Sequence, residues 1–130
     1  MHQSTLLLRQ IHPSFIQNSA VSSQAFEITS VVFNPTPKDD GKLSVYNGDK
    51  FSAKEAFDHF TKNYSSIGVL AVTMLEVQNA GLDAAEDNLP FDGHAYIDYT
   101  KITSNGQRKS KAKILKKHAT NRGWLHKINP

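Results

Sequence analysis

The chain has 130 residues and no cysteine, so it is long enough for one domain with a buried core, and it has no disulfides, cysteine-containing zinc sites, iron–sulfur ligation or thiol nucleophile. Residues 1–100 carry six basic and all twelve acidic side chains, a net charge of −6, whereas residues 101–130 carry nine basic and no acidic side chains, a net charge of +9. A cationic segment separated in this way attracts phosphate, an acidic partner or the acidic part of its own chain.

The first strand is predicted over residues 6–11 and ends at His12-Pro13, because proline cannot donate to a strand ladder. Its apolar stretch, Leu6-Leu7-Leu8, is shorter than the roughly 7–15 apolar residues of a signal peptide. No stretch approaches the roughly 20 apolar residues of a membrane span. We therefore expect a cytoplasmic protein that has no membrane partner.

Further segments follow before the first predicted helix. Residues 25–33 are rich in β-branched and aromatic side chains and predict one or two strands. Residues 34–41 contain two prolines, two aspartates and a glycine, which indicates a loop. Residues 43–46 predict a short strand that ends at a turn over Asn47 and Gly48.

Two capping-box patterns predict short helices. Ser52 is followed three residues later by glutamate, and the pattern predicts a helix over residues 53–63 that buries Phe57 and Phe60. Thr73 begins a second such pattern after an apolar strand predicted over residues 66–72. That pattern predicts a helix over about residues 74–80, with one long strand as the alternative.

The remainder of the chain is predicted to be an acidic loop over residues 83–93, a strand over residues 94–99 and a helix between Ser104 and Gly123. At 100° per residue one side of this helix is apolar and the opposite side is basic. The apolar side holds Ala112, Ile114, Leu115, His118 and Ala119, and the basic side holds Lys109, Lys113, Lys116 and Lys117. Trp124 and Leu125 are expected to clamp the end of the helix onto the body.

Together these elements predict a single α+β domain over residues 1–130. It comprises a mostly antiparallel sheet of about five strands, two short helices and a basic C-terminal helix. Residues 1–103 form the acidic body, and residues 104–130 form the basic helix and tail.

The basic helix is the first candidate functional feature. Lysine and arginine contact phosphates and release counterions, which makes binding depend on salt. The alternative is a solvated helix surface, or one balanced by the acidic body. No zinc-finger spacing, RNP-type aromatic sequence or helix-turn-helix pair is present. Any nucleic-acid binding is therefore expected to be independent of the base sequence. The candidate polyanion-binding residues are Arg108, Lys109, Lys111, Lys113, Lys116, Lys117 and Arg122.

A second candidate is a pocket for an anion or a nucleotide. Histidines stand at the ends of two predicted strands, an arginine lies within the first strand, and two serines precede the second. The candidate residues are Arg9, His12, Ser22, Ser23 and His94. In the structural alternative the histidines bind nearby carbonyls and Arg9 pairs with Glu27 or Asp98.

No metal or cofactor is predicted. The other histidines are scattered and do not form a metal-binding spacing such as His-Glu-x-x-His. The chain also has no Gly-x-Ser-x-Gly elbow and no glycine-rich phosphate loop. These histidines are His2, His59, His118 and His126.

Several short motifs within residues 6–99 resemble a group of small uncharacterised bacterial proteins. The motifs are Leu7-Leu8-Arg9 with His12-Pro13, Ser22-Ser23-Gln24-Ala25-Phe26, Leu43-Ser44-Val45 and His94-Ala95. The resemblance implies a bacterial protein and groups the arginine, the serines and His94 as a set. It brings no activity, cofactor or partner.

The first functional hypothesis is therefore a small bacterial binding or accessory module whose cationic helix engages a nucleic acid or an acidic partner protein. By analogy, its size and charge suit a toxin–antitoxin or defence system. The alternative is a small enzyme acting on a nucleotide or nucleic acid. In that enzyme Arg9 holds a phosphate, His12 or His94 is the general acid or base, and Ser22 or Ser23 positions the substrate. A third hypothesis is self-association of the acidic loop with a neighbour's basic helix.

Overall fold

The computed structural model describes residues 1–17, 27–28 and 30–128. The strands are β1 (Leu6–Gln10), β2 (Ile16–Gln17), β3 (Glu27–Ile28), β4 (Lys42–Asn47), β5 (Gly68–Thr73), β6 (Asp83–Glu86), β7 (His94–Asp98) and β8 (His126–Lys127). The helices are α1 (Ala53–Thr61), α2 (Met74–Asn79) and α3 (Asn105–Arg122). Short 3-10 helices cover Pro13–Phe15, Ser30–Phe33 and Pro37–Asp39.

The main sheet has six strands in the order β6-β7-β4-β1-β5-β8, and every neighbouring pair is antiparallel. Strands β2 and β3 pair separately. This arrangement confirms the predicted α+β domain with an antiparallel sheet. The main sheet exceeds the expected five strands because β6 and β8, neither of which was predicted, form its two edges, whereas β3, which lies within the strand region predicted over residues 25–33, pairs only with β2.

The long C-terminal helix covers one face of the sheet, which we call the α3 face. Leu7, Val45, Leu70 and Ile97 alternate along their strands on this face, and all are buried. Helix α3 contributes to the same core the buried residues Ala112, Leu115 and Ala119. Ile114 was expected on this stripe but is 45% exposed, because the helix docks through a narrower strip of small residues.

Helix α1 covers only part of the opposite face, which we call the α1 face. Leu8, Tyr46 and Ala56 are buried there. Phe57 and Phe60 pack against this cluster and are half-buried, so the prediction that the helix buries both is confirmed in part. A helix of nine residues is about 14 Å long and cannot cover the whole sheet.

Both predicted capping boxes are confirmed. The amide of Glu55 donates to Ser52 Oγ at 3.1 Å, and the amide of Ser52 donates to the Glu55 carboxylate at 2.9 Å. In the second box the amide of Glu76 donates to Thr73 Oγ1 at 3.1 Å, and the amide of Thr73 donates to the Glu76 carboxylate at 2.8 Å. Helix α2 therefore begins where β5 ends, which excludes the single long strand.

Two other predictions are wrong. Residues 30–33 form a 3-10 helix and not a strand, because this turn directs the consecutive Val32 and Phe33 into the core. The Phe33 carbonyl also accepts a hydrogen bond from the buried Tyr99 hydroxyl. The acidic loop begins as strand β6, which pairs with β7 and buries Ala84 while its acidic ends stay exposed at the sheet edge.

The end of the chain returns to the sheet. Trp124 is half-buried against the core, whereas Leu125 is 37% exposed. Of the two residues expected to clamp the end of α3 onto the body, Trp124 therefore packs on the core more closely. None of the helices in the described part of the chain combines the length and the apolar content needed to cross a membrane.

Candidate functional sites

Part of the positive charge of α3 is used to hold the helix in place. Arg108 Nε donates to the Ile102 carbonyl at 2.6 Å. Lys111 Nζ donates at 2.6 Å to the carbonyl of Ala80, the residue that caps α2. The Ala80 carbonyl lies at the C-terminal end of α2, where helix carbonyls lack intrahelical partners, and the Ile102 carbonyl lies in the loop before α3. These two cations dock α3 and are not available in full to a ligand.

Arg122 forms the strongest docking contact at the C-terminal end of α3. Its guanidinium binds both carboxylate oxygens of Glu76, at 2.9 and 3.0 Å, and also donates to the Ala71 carbonyl at 2.9 Å. His118 Nδ1 lies 3.2 Å from the same carboxylate. Burial alone would raise the pKa of Glu76, but hydrogen bonds from Arg122 and from the Thr73 amide hold this pKa below its ordinary value.

Three lysines of α3 remain directed to solvent, and we call them the lysine row. Lys109, Lys113 and Lys117 are exposed and stand four residues apart, which places them about 6 Å from one another along the helix axis. Within the described ranges none of them lies within 4.0 Å of a carboxylate. Lys116 is half-buried beside the row. The seven cations predicted to act together thus divide into three that dock the helix, three that form the exposed row, and the half-buried Lys116.

The second candidate site is a cavity of about 730 Å³ on the α1 face. It lies between the C-terminal end of α1, the strands β1 and β4, and the segment that leads into β7. Its wall is mostly apolar and aromatic, with imidazole and amide groups among the rings. The lining includes Arg9, Gln10, Tyr46, His59, Tyr64, Phe91 and His94.

The cavity is located where β1 and β4 separate. Their register runs only to Leu8 opposite Tyr46, and Arg9 bridges the gap that follows. Its Nη1 donates to the Ser44 carbonyl at 2.8 Å, and its Nε donates to the Val32 carbonyl at 2.9 Å. Desolvation lowers the pKa of Arg9 to about 10, against the opposing charge of Asp39. The guanidinium is still charged at neutral pH.

The expected carboxylate partner of Arg9 is not found at Asp98. That carboxylate accepts from the hydroxyl of Thr100 at 2.6 Å and from the Thr100 amide at 2.7 Å. The Glu27 side chain lies outside the described part of the structure. Arg9 instead binds the Ser44 carbonyl, where β4 has separated from β1, and the Val32 carbonyl in the 3-10 helix Ser30–Phe33.

Gln10 lines the cavity, and its side-chain amide is buried. The residue is 6% exposed, and its Oε1 accepts a hydrogen bond from Ser66 Oγ at 2.8 Å. Its Nε2 is buried and, in the described part of the chain, has no hydrogen-bond partner. The sequence analysis did not select Gln10, although a glutamine at the inward position that follows Leu6 and Leu8 in the alternation of β1 is an identifiable signal.

Two histidines flank Phe91 at the cavity wall. A hydrogen bond of 2.7 Å joins His59 Nδ1 to the Tyr46 hydroxyl, and His94 Nδ1 lies 2.6 Å from the Asp87 carboxylate. The imidazole centroids are 4.4 and 5.4 Å from the Phe91 ring. Burial raises the pKa of Tyr46 to about 12, so its hydroxyl stays protonated at neutral pH. In both histidines the Nδ1 is engaged, which leaves Nε2 for a ligand.

The structure brings together part of the predicted pocket. Arg9, His12 and His94 all line the cavity. His12 Nδ1 is 2.8 Å from Ser14 Oγ, and His94 binds a carboxylate and not the carbonyl expected in the structural alternative. Ser22 and Ser23 lie outside the described residues. The sequence analysis missed Gln10, Tyr46, His59 and Phe91, which come from four separate segments of the chain.

Over the part of the chain that the structure describes, no three histidine, aspartate or glutamate side chains are grouped in a way that could hold a metal ion. No protein-family model, curated protein or solved structure matches this chain. The chemistry of the lysine row and of the cavity is therefore the guide to what the protein does.

Proposed function

We propose that this chain is a small binding module that engages the backbone of a nucleic acid through the lysine row of α3. The observation that carries the proposal is the row itself. Lys109, Lys113 and Lys117 are exposed, aligned along one helix and without a carboxylate partner in the described part of the molecule. Helix α3 contains no acidic residue, so nothing within it offsets their charge.

The type of cation predicts how the nucleic acid is read. Lysine is a flexible point charge that binds phosphate without the planar fork by which arginine recognises a base edge. The two arginines of α3 are occupied, Arg108 by carbonyls and Arg122 by Glu76. The affinity of binding through the lysine row is therefore expected to be independent of the base sequence and to fall strongly as the salt concentration rises.

The proposal also retains the wider expectations from the sequence. A bacterial, cytoplasmic accessory protein of a toxin–antitoxin or defence system would meet nucleic acid in its own compartment. The acidic-partner hypothesis uses the same three lysines and is separated from the nucleic-acid hypothesis by the binding experiment. The enzyme hypothesis uses the cavity on the opposite face of the sheet.

The test is fluorescence anisotropy of the full chain with single- and double-stranded DNA and RNA, from about 50 to 200 mM salt. Three phosphate contacts on duplex DNA give a slope of log K against log salt of about −2.7. The variant Lys109→Gln, Lys113→Gln, Lys117→Gln is expected to lose this binding and keep its fold, because all three side chains are exposed.

A matched control changes the same number of exposed lysines in the body, Lys38→Gln, Lys54→Gln and Lys62→Gln. It lowers the net charge equally and should retain most of the binding. Equal loss in both variants would show a response to net charge and would contradict a site on α3. Absence of binding at the lowest salt would reject nucleic acid and favour the acidic protein partner.

A further inference from the structure

We propose that the cavity on the α1 face hydrolyses an aromatic carboxylic ester, with His94 as the general base that activates water and His59 as the hydrogen-bond donor to the ester carbonyl oxygen. The inference does not depend on the lysine row, because α3 packs on the other face of the sheet. Of the residues named in the enzyme hypothesis it retains His94.

His94 has the arrangement of a general base. Its Nδ1 lies 2.6 Å from the Asp87 carboxylate, and its side chain is 13% exposed. Because a carboxylate only accepts hydrogen bonds, the proton of the neutral imidazole is on Nδ1, and Nε2 carries the lone pair. Asp87 does not line the cavity whereas His94 does, which directs the Nε2 edge of the ring toward the cavity. His94 can therefore take a proton from a molecule bound there.

His59 is held in the opposite tautomer. A hydrogen bond of 2.7 Å joins its Nδ1 to the Tyr46 hydroxyl, which has no other hydrogen-bond partner within the described ranges. Burial raises the pKa of Tyr46 to about 12, so the hydroxyl keeps its proton at neutral pH. Because Tyr46 is 5% exposed, the hydroxyl donates this proton to Nδ1 and not to water. The proton of neutral His59 is then on Nε2, which can donate to a ligand oxygen.

The Nε2 atoms of both histidines are accessible. Neither atom has a hydrogen-bond partner in the described part of the chain. In that part, Gln10 Nε2 is the one buried side-chain polar atom that lacks a partner, so the two imidazole atoms are not buried. Both imidazoles pack on Phe91, with centroid distances of 4.4 Å for His59 and 5.4 Å for His94. A base and a donor therefore line the same part of one cavity.

These two groups supply the proton transfers of ester hydrolysis. His94 Nε2 takes a proton from water while the water oxygen bonds to the carbonyl carbon of the ester. The carbonyl oxygen becomes an oxyanion, which accepts a hydrogen bond from His59 Nε2. The bond between this carbon and the leaving oxygen then breaks, and the leaving oxygen takes the proton from His94. Water is the co-reactant, and the products are a carboxylic acid and an alcohol or phenol.

The wall of the cavity favours an ester that carries a flat ring. Small-molecule sites in proteins usually have volumes of roughly 300–1,000 Å³ and mostly apolar walls with a few polar groups. This cavity has a volume of about 730 Å³. Aromatic rings pack well on one another in stacked or edge-to-face arrangements. The rings in the lining, other than the imidazoles, are those of Tyr46, Phe60, Tyr64 and Phe91.

The charges at the wall favour a carboxylic ester over a phosphate ester. The lining contains no aspartate, glutamate or lysine, so it offers nothing to hold a cationic substrate. Arg9 is its one arginine, and the Nε and Nη1 of Arg9 already donate to the carbonyls of Val32 and Ser44. A phosphate carries a full charge before the reaction and is usually bound by several cationic donors. A carboxylic ester is neutral and develops a single oxyanion, which the one donor of His59 can meet.

Hydrolysis of p-nitrophenyl acetate by the full chain, followed by the release of p-nitrophenolate, tests the proposal. We expect a saturable rate, with kcat/KM above the second-order rate constant of free imidazole in the same buffer. His94→Gln should lower kcat/KM by about 100-fold, because it removes the general base. A rate constant no higher than that of imidazole, or an unchanged rate in His94→Gln, would overturn the proposal.

A histidine outside the cavity provides the matched control. His2 Nε2 also lies near a carboxylate, 3.5 Å from Asp49, but its side chain is 67% exposed and does not line the cavity. His2→Gln should therefore keep the full rate. An equal loss of rate in His2→Gln and His94→Gln would show that surface imidazoles cause the hydrolysis, which would overturn the proposal.

Separate variants test the donor and the residue that positions the base. His59→Leu should lower kcat by about 100-fold, the usual effect of losing an oxyanion donor, whereas His59→Gln, whose amide can donate, should retain more activity. Equal activity in these two variants would contradict the role of His59. Asp87→Asn should lower kcat and leave KM unchanged, because Asp87 orients His94 and does not contact the substrate. An effect on KM alone would contradict that role.

Two further arms define the substrate and isolate the site. Phe91→Leu keeps an apolar side chain at the wall and should raise KM, since it removes the ring on which the substrate packs. Hydrolysis of bis(p-nitrophenyl) phosphate without hydrolysis of the acetate would overturn the assignment to a carboxylic ester. The lysine-row variant should hydrolyse p-nitrophenyl acetate at the full rate, even if nucleic-acid binding by α3 is rejected. Loss of hydrolysis in that variant would contradict a site on the α1 face.

Discussion

The two faces of the central sheet are built from alternate residues of the same strands, yet they differ in how completely they are covered. On the α3 face the strands meet a helix of 18 residues, about 27 Å long, and the docking cations Arg108, Lys111 and Arg122 all have partners. On the α1 face a helix of nine residues leaves an open cavity of about 730 Å³. The α3 face is thus closed by a helix whose outer side carries the exposed lysine row, whereas the α1 face keeps an open cavity.

The comparison shows where charge and polarity serve the fold. A cation that docks a helix meets carbonyls or a carboxylate, as Arg122 does with Ala71 and Glu76. An exposed row such as that of α3 costs the fold little and is available for phosphate.

The largest expected effect is on the α3 face. Leu115→Ala should lower the free energy of unfolding by about 2–5 kcal/mol, because the side chain is fully buried and its removal leaves a closed cavity. Phe60→Ala on the α1 face should cost less, since Phe60 is half-buried beside space that already exists. Urea unfolding of both variants checks the order. A larger loss for Phe60→Ala would contradict the difference between the faces.

A smaller effect is expected where the two faces meet, at the separation of β1 and β4. Arg9→Met should lower the free energy of unfolding by about 1–3 kcal/mol, because the carbonyls of Ser44 and Val32 lose their donors. Arg9→Lys should recover part of this loss, since an ammonium can reach one carbonyl. Urea unfolding at neutral pH measures both variants. An unchanged free energy of unfolding in Arg9→Met would contradict a stabilising role for Arg9 where β1 and β4 separate.

The smallest effect is a pH dependence that belongs to the α3 face. The pKa of Glu76 is lower in the folded protein than its ordinary value of 4.5. The ionised carboxylate therefore contributes fully to the stability of the fold above pH 4.5, and this contribution is lost as the pH falls through the lower pKa of the folded state. Thermal midpoints from pH 6 downward should therefore decline less steeply in Glu76→Gln than in the unaltered protein. Identical slopes would show that the contact with Arg122 does not contribute in this way.

Local sequence signals predicted much of the fold. The capping boxes at Ser52 and Thr73 predicted the starts of α1 and α2, continuous apolar runs predicted β1 and β5, and apolar alternation predicted β7. These signals succeeded because each depends on contacts within a few residues. The prediction for residues 30–33 failed because burial of Val32 and Phe33 against α3 overrides their strand propensity.

The candidate cavity was only partly predictable. Arg9, His12 and His94 were selected because polar residues at strand ends often form sites, and they do line one cavity. Gln10 and His59 were missed because their meaning depends on pairing between distant segments. The 2.7 Å contact of His59 with Tyr46 spans 13 residues, and Ser66 reaches Gln10 across 56.

The amino-acid sequence by itself determined the helix starts, the strand alternation and the concentration of positive charge in residues 101–130, because these follow from neighbouring residues and composition. The tertiary structure decided which cations of α3 dock and which stay exposed, since that depends on where the carbonyls of Ala80 and Ile102 lie. It also decided that β1 and β4 separate and that a short α1 leaves a cavity there. Both outcomes arise from packing between segments far apart in the chain, which no local pattern records.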